Sequence, residues 1–177
     1  IVAKNTAASV ERGFKYVKLH EIDEPQVRAA REAGGPHFGL MVDTNCPWSL
    51  SDALAMARRM SPHNLYWLEE PCWPPENFEA LAQVRAKTGV TVAAGENAGS
   101  VMDFKHMFQA GAVDVAQPSV TKIGGITEMR KVMILADAFN VRVVPHSPYF
   151  GPGLLATLQL LSAWAQEPLI EWLYFDL

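Results

Sequence analysis

The chain has 177 residues, 49% of them hydrophobic and 19% charged, with a formal net charge of −4. That composition buries one sizeable core and excludes the disordered and fibrous classes, while an acidic balance without a Lys/Arg cluster argues against nucleic acid as the main partner. No apolar run reaches the roughly 18 residues of a membrane span, no secretory leader stands at Ile1, and Cys46 and Cys72 fit neither a disulfide framework nor a close zinc motif, so a cytoplasmic, small-molecule role is expected.

Short apolar runs alternate with helical patterns along the whole chain. The first run is "YVKLH" (16–20), followed by a helix that Asp23 can cap and that stops at Gly34 and Gly35. "GLMVDTN" (39–45) and "LYWLEEP" (65–71) come next. Pro74 and Pro75 then open a helix carrying Phe78, Leu81 and Val84, which Gly89 closes. After "TVAAGEN" (91–97), the capping-box pattern Ser100–Asp103 starts a helix with Phe104, Met107 and Phe108 on one side and Gly111 at its end. "VDVAQPS" (113–119) and "VRVVPHS" (141–147) follow, and "IEWLYFD" (170–176) is the seventh run. Little polar alternation within the runs is the mark of parallel strands covered on both faces. With no linker or low-complexity tract, residues 1–177 read as one domain.

His20, Asp43, Glu69, Glu96, Ser119 and His146 each stand at the C-terminal end of a run, at intervals of 23, 26, 27, 23 and 27 residues. A closed barrel of strand–helix units takes roughly 30 residues per unit and gathers its active site at the strands' C-terminal ends. An open doubly wound sheet gives the same alternation but spreads the tips along a line. The expectation is therefore a partial TIM-type (β/α) barrel. Three carboxylates on consecutive strands, Asp43, Glu69 and Glu96, repel unless a cation joins them. All-oxygen donors suit a hard divalent ion, Mg²⁺ first and Mn²⁺ second. The bland alternative is that each acid caps the helix that follows it, as Asn45 and Asn97 can also do.

"MVDTN", "WLEEP", "AGEN", "TKIGG" and "VPHS", in this order and spacing, resemble the catalytic barrel of the enolase superfamily in its mandelate racemase branch. The resemblance implies that Asp43, Glu69 and Glu96 ligate Mg²⁺, with Glu70 turned the other way to support Lys18 or a neighbouring ligand. It implies chemistry in which the proton next to a substrate carboxylate is removed and the metal holds the enediolate. The branch often carries Lys-x-Lys where this chain has Lys18 and His20, on one side of a strand. Lys18 then helps hold the substrate carboxylate and His20 is the base. Histidine, with an ordinary pKa of about 6.5, needs no large depression for that role, whereas lysine starts near 10.4.

His146 matches the family's second base. Its usual aspartate partner is replaced by Ser119, which offers a hydrogen bond in place of a charge and leaves His146 the weaker base. Ser119, Lys122 and Tyr174 are the expected substrate contacts; Tyr174 falls where the family often has an electrophilic glutamate, with Glu171 nearby. Cys46 and Cys72 read as free thiols, and Trp48 and Trp73 as walls of the pocket or of the barrel rim. Gly151 and Gly153 offer either an anion cradle or a tight turn.

The reading that follows is Mg²⁺-dependent dehydration of a sugar acid. Racemisation or epimerisation of a hydroxy acid is the same-family alternative, and a non-catalytic metal-stabilised barrel is the alternative from another class. Cycloisomerisation of a muconate-like substrate is disfavoured, because that branch carries lysine at the Ser119 position. With seven strands and no capping domain, the sequence reads as a barrel portion, and the full-length protein is expected to be a homo-oligomer.

Overall fold

Short apolar runs bounded by turn residues suit parallel strands covered on both faces, and the computed structural model shows this outcome. It describes residues 1–164 and 169–173. The chain divides into two compact units, Ile1–Ala93 and Ala94–Leu177.

The first unit runs α1 (Val2–Glu11), β1 (Tyr16–His20), α2 (Glu24–Gly34), β2 (Gly39–Asp43), α3 (Leu50–Met60), a single 3₁₀ turn (Ser61–His63), β3 (Trp67–Glu69), α4 (Phe78–Thr88) and the first two residues of β4 (Val92–Ala94). Its strands pair in parallel and in sequence order, with Tyr16 opposite Gly39, Asp43 opposite Glu69 and Glu69 opposite Ala93. Leu40, Val42 and Leu68 on the strands and Val27, Ala30, Ala53, Ala57, Leu81 and Val84 on the helices are all fully buried and make up the core of this unit. Each large aliphatic side chain so buried contributes about 1.5–3 kcal/mol. A Cβ on Gly39 would lie 2.1 Å from the Tyr16 ring, so glycine is what lets β2 pass beneath it. Arg31 ties the helical side to the strand starts by donating to the carbonyls of Gly35, Phe38, His63 and Asn64 at 2.6–2.9 Å.

The second unit carries α5 (Val101–Gln109), β5 (Val115–Ala116), α6 (Ile126–Ala138), β6 (Arg142–Val143) and α7 (Pro152–Ser162). Strands β5 and β6 are short, yet their parallel ladder continues beyond them. Arg142 N donates to Asp114 O, Val144 N to Ala116 O at 3.0 Å, and His146 N to Pro118 O at 3.2 Å. The backbone is thus carried in register as far as His146. Phe104, Met107, Met129, Val132, Met133 and Ala136 form the core between helices and strands.

Several expectations are corrected. Residues 170–173 form no strand, and 174–176 lie outside the described residues, so six strands stand among the described residues. Pro74 and Pro75 precede α4 rather than opening it; Asn77 is its cap, because an amide oxygen can accept from Ala80 N and a proline ring cannot. Asp23 occupies the N-cap position of α2, but its carboxylate accepts no helix N–H. Gly151 takes a left-handed φ of 66° at the N-cap of α7, as a tight turn requires, whereas Gly153 lies inside that helix and packs closely, since a Cβ there would meet Thr121 at 2.7 Å and the Tyr149 ring at 2.9 Å. No helix among the described residues is long and apolar enough to cross a membrane.

Candidate metal and proton-transfer site

The register of the first unit aligns His20, Asp43 and Glu69 side by side at the ends of β1, β2 and β3. Because strand side chains alternate, Lys18 and His20 share the face of Asp43, and Trp67 shares that of Glu69. Lys18 Nζ lies 2.9 Å from Glu69 Oε1 and 3.2 Å from Asp43 Oδ2. Both acids are essentially inaccessible to solvent, at 1% for Asp43 and 0% for Glu69. Trp67 Nε1 donates to the other oxygen of Glu69 at 2.9 Å. Trp67 was not singled out in the sequence; its place two residues before Glu69 on one strand was the available signal.

Tight backbone turns follow each acid. Asn45, Cys46 and Glu70 all take left-handed conformations, with φ of 54°, 56° and 45°. Asparagine tolerates this region, but for Cys46 and Glu70 it costs about 1–2 kcal/mol each. Thr44, buried, holds the two turns together by donating its hydroxyl toward the carbonyls of Glu69 and Glu70 at 3.1 and 3.0 Å. Glu70 is thereby swung away from Glu69, and its Oε2 accepts from Cys46 Sγ at 3.4 Å. Burial, reinforced by the Glu70 charge, pushes the Cys72 thiol up to about 11. Cys46 and Cys72 are thiols outside any disulfide, as expected, and both are buried. Trp48 is buried, whereas Trp73 is 67% exposed.

His20 is the accessible member, its side chain 58% exposed. Its Nδ1 lies 3.1 Å from the Asn45 amide nitrogen and 3.5 Å from Asp43 Oδ2. The amide asks for a bare nitrogen and the carboxylate asks for a protonated one. Those two contacts exclude each other at the one nitrogen.

In the second unit, His146 Nδ1 lies 2.8 Å from Glu96 Oε2 and 3.5 Å from Glu171 Oε2. Ser119 does not face the imidazole as the expected partner would. Its hydroxyl is 3.0 Å from Thr121 Oγ1 and 3.2 Å from the Tyr149 hydroxyl, which donates to the backbone carbonyl of His146 at 2.7 Å. Lys122 is exposed, and its backbone N–H donates to Ser119 O. Tyr174 lies outside the described residues.

After Asp43, α3 is capped by Ser49, whose hydroxyl accepts from Asp52 N. After Glu69, α4 is capped by Asn77, and after Glu96, α5 is capped by Ser100, which accepts from Asp103 N. Each following helix has its own cap, so none of the three carboxylates is needed for that purpose. A cleft of about 690 Å³ opens at the opposite end of the first unit's strands, lined by Lys15, Tyr16, His37, Phe38 and Tyr66 among others. None of the described residues that line it is acidic.

A model of enolase C-terminal domain-like sequences matches residues 2–177. The chain belongs to this family. Its fold class is therefore the α/β barrel domain of the enolase superfamily, as the strand spacing predicts. It is 34% identical over 175 residues to a D-galactarolactone cycloisomerase of Agrobacterium fabrum, covering 94% of this chain and 46% of that one. An L-talarate/galactarate dehydratase of Salmonella typhimurium is 33% identical over 177 residues, covering 96% of this chain and 43% of the relative. Among solved structures, a racemase from Streptomyces coelicolor with bound magnesium superposes with a TM-score of 0.83 at 32% identity, covering 96% of this chain and 52% of that one. The chain spans less than half the length of both curated relatives.

Proposed function

We propose that this member of the enolase superfamily contributes the catalytic face of an enzyme that removes the proton α to a carboxylate, most simply to dehydrate a sugar acid. The observation that carries the reading is the row of His20, Asp43 and Glu69 in register, with Lys18 on the same face. We assign Asp43, Glu69 and Glu96 to Mg²⁺, with Mn²⁺ as the substitute. Asp43 Oδ2 supports this: it is buried, accepts no hydrogen bond among the described residues and is met by the Lys18 ammonium at 3.2 Å. Oxygen donors alone suit a hard ion. When bound, Mg²⁺ supplies positive charge against the negative charge that develops on the substrate carboxylate.

The chain's own groups do the rest. Lys18 holds the substrate carboxylate, with Ser119, Lys122 and Tyr174 as further substrate contacts. His20 or His146 takes the α-proton. His146 returns a proton to the departing β-oxygen, and the enol so formed rearranges to a 2-keto-3-deoxy acid. Residues 1–177 act as one partial barrel domain, in keeping with the single family model that spans them. The setting is a cytoplasmic, homo-oligomeric full-length protein with a small-molecule carboxylate as its partner.

A second reading has a specific motive in the cycloisomerase among the relatives. Loss of an α-proton with expulsion of a β-oxygen has two outcomes. If that oxygen is a free hydroxyl, water leaves; if it belongs to a ring, the ring opens and the product is an isomer. One set of residues serves both, and the substrate decides.

The test is proton NMR in D₂O with Mg²⁺, on the protein that carries this chain, across a panel of sugar acids, their lactones and anhydro derivatives. Loss of the α-proton signal, abolished by His20→Asn or His146→Asn, is the expected result. No exchange with any of them, while Mg²⁺ still raises the melting temperature, would replace catalysis by a metal-stabilised scaffold.

A further inference from the structure

The first unit carries a second concavity, the cleft of about 690 Å³ at the N-terminal ends of β1, β2 and β3. Its walls are aromatic because two glycines leave room for rings. A Cβ on Gly39 would lie 2.1 Å from the Tyr16 ring, and a Cβ on Gly34 would lie 2.6 Å from the Phe38 ring. Neither glycine has a left-handed φ, so each position requires the missing side chain and not a special backbone conformation. Tyr66 completes the wall, its ring tilted against that of Tyr16 with centroids 4.9 Å apart. All three aromatic residues line the cleft and are half-buried.

The cleft is also held in shape and charged. Arg31 ties together the two loops that border it, donating to the carbonyls of Gly35 and Phe38 on one and of His63 and Asn64 on the other at 2.6–2.9 Å. Only neutral carbonyls accept from this guanidinium, and no carboxylate lies within ion-pair distance of it among the described residues, so its charge is not cancelled locally. Lys15 and His37 line the cleft, both are exposed, and no side-chain hydrogen bond or ion pair holds either among the described residues. In a chain of net charge −4, a concave surface with basic and no acidic lining attracts anions.

We propose that this cleft binds a planar organic anion, an aromatic or heteroaromatic carboxylate, at the strand ends opposite Asp43 and Glu69. The rings of Tyr16, Phe38 and Tyr66 offer faces and edges to a flat apolar body, and Lys15 and His37 supply donors for the carboxylate. The volume lies within the range of about 300–1,000 Å³ found for small-molecule sites. A free phosphate or a sugar acid would leave the ring surfaces unused, which is why the class is aromatic. The site lies apart from the row of His20, Asp43 and Glu69, so it does not depend on the reaction assigned there.

The test is isothermal titration of the full-length protein with naphthoate as the probe, at neutral pH, in Mg²⁺ and again in EDTA. Saturable binding of one probe per chain, equal in both media, is expected. Lys15→Ala and His37→Ala should each weaken it about tenfold, the scale of a hydrogen bond to a charged group. Both side chains are exposed and hold nothing else in place, so these variants keep the fold. Naphthalenemethanol keeps the rings without the charge, and decalin carboxylate keeps the charge without the flat rings; each should bind several-fold more weakly than naphthoate. Binding that vanishes in EDTA would put the probe on the metal ligands and overturn the proposal. Absence of binding, an affinity unchanged in both variants, or either analogue binding as tightly as naphthoate would overturn it too. No turnover is read, so failure of the proposed reaction and failure of this site are separate results.

Discussion

Lys18 and Glu69, separated by 51 residues, meet in an ion pair of 2.9 Å, and the same ammonium lies 3.2 Å from Asp43. The pair exists because β1, β2 and β3 are adjacent and in register, so side chains two residues before one strand end and at the next two ends fall together. Lys18→Met would leave two buried carboxylates side by side without that charge. Removing one partner of a buried pair costs about 3–5 kcal/mol. The metal-free melting temperature should drop accordingly, and Mg²⁺ should restore more stability in the variant than in the parent. An equal Mg²⁺ increment in both proteins, measured by thermal denaturation, would show that Asp43 and Glu69 do not share the ion.

Trp67 fixes the second oxygen of Glu69 through a buried hydrogen bond of 2.9 Å. Trp67→Phe keeps most of the ring and deletes the donor. Leaving a buried acceptor unmatched costs about 1–3 kcal/mol. If Glu69 is a ligand, loosening it should also weaken Mg²⁺ binding, on the scale of about 10–100-fold seen when groups that orient metal ligands are removed. Isothermal titration with Mg²⁺ reads this; an unchanged affinity would assign Trp67 to packing alone.

Ser100 and Glu96 separate helix capping from metal binding. Ser100→Ala removes the acceptor for Asp103 N and should cost about 1 kcal/mol with Mg²⁺ affinity intact. Glu96→Gln should have the reverse profile, with α5 still capped and Mg²⁺ affinity reduced by at least about tenfold. A stability loss in Glu96→Gln without a loss of metal affinity would return that residue to a structural role.

Cys72 should resist alkylation in the native state. Its thiol, pushed up to about 11 by burial and then by Glu70, yields almost no thiolate at pH 8, whereas an unfolded cysteine near 8.5 is substantially ionised. The sign for stability follows. Between about pH 8.5 and 11 the unfolded chain releases a proton that the native state keeps, so stability falls with rising pH across that window. Iodoacetamide labelling at pH 8, with and without denaturant, checks the first statement; rapid native labelling of Cys72 would contradict the burial.

Much of the frame was legible without coordinates. "YVKLH" becomes β1 residue for residue, and "GLMVDTN", "LYWLEEP" and "TVAAGEN" each contain a strand, because an uninterrupted apolar run has only a covered strand or a buried helix open to it, and turn residues bound these runs. The Ser100 cap and the Gly89 stop were legible for local reasons too, since a cap needs only its own first turn. The last run was misread at 170–173. Its apolar pattern is strand-like, but Glu171 there is held to Ser147 by both backbone and side chain.

By itself, then, the sequence determined the alternation of strands and helices and the polar residues that punctuate strand ends every 23 to 27 residues, both consequences of short-range periodicity and turn chemistry. Only the tertiary structure decided which neighbours those residues acquire: Lys18 between Asp43 and Glu69, Glu70 turned to Cys46, Ser119 turned from His146 to Tyr149, and Glu171 clamped beside the histidine. The reason is that such contacts join positions 24 to 51 residues apart. They depend on strand register and on left-handed turns at residues such as Cys46 and Glu70, whose local preference points the other way.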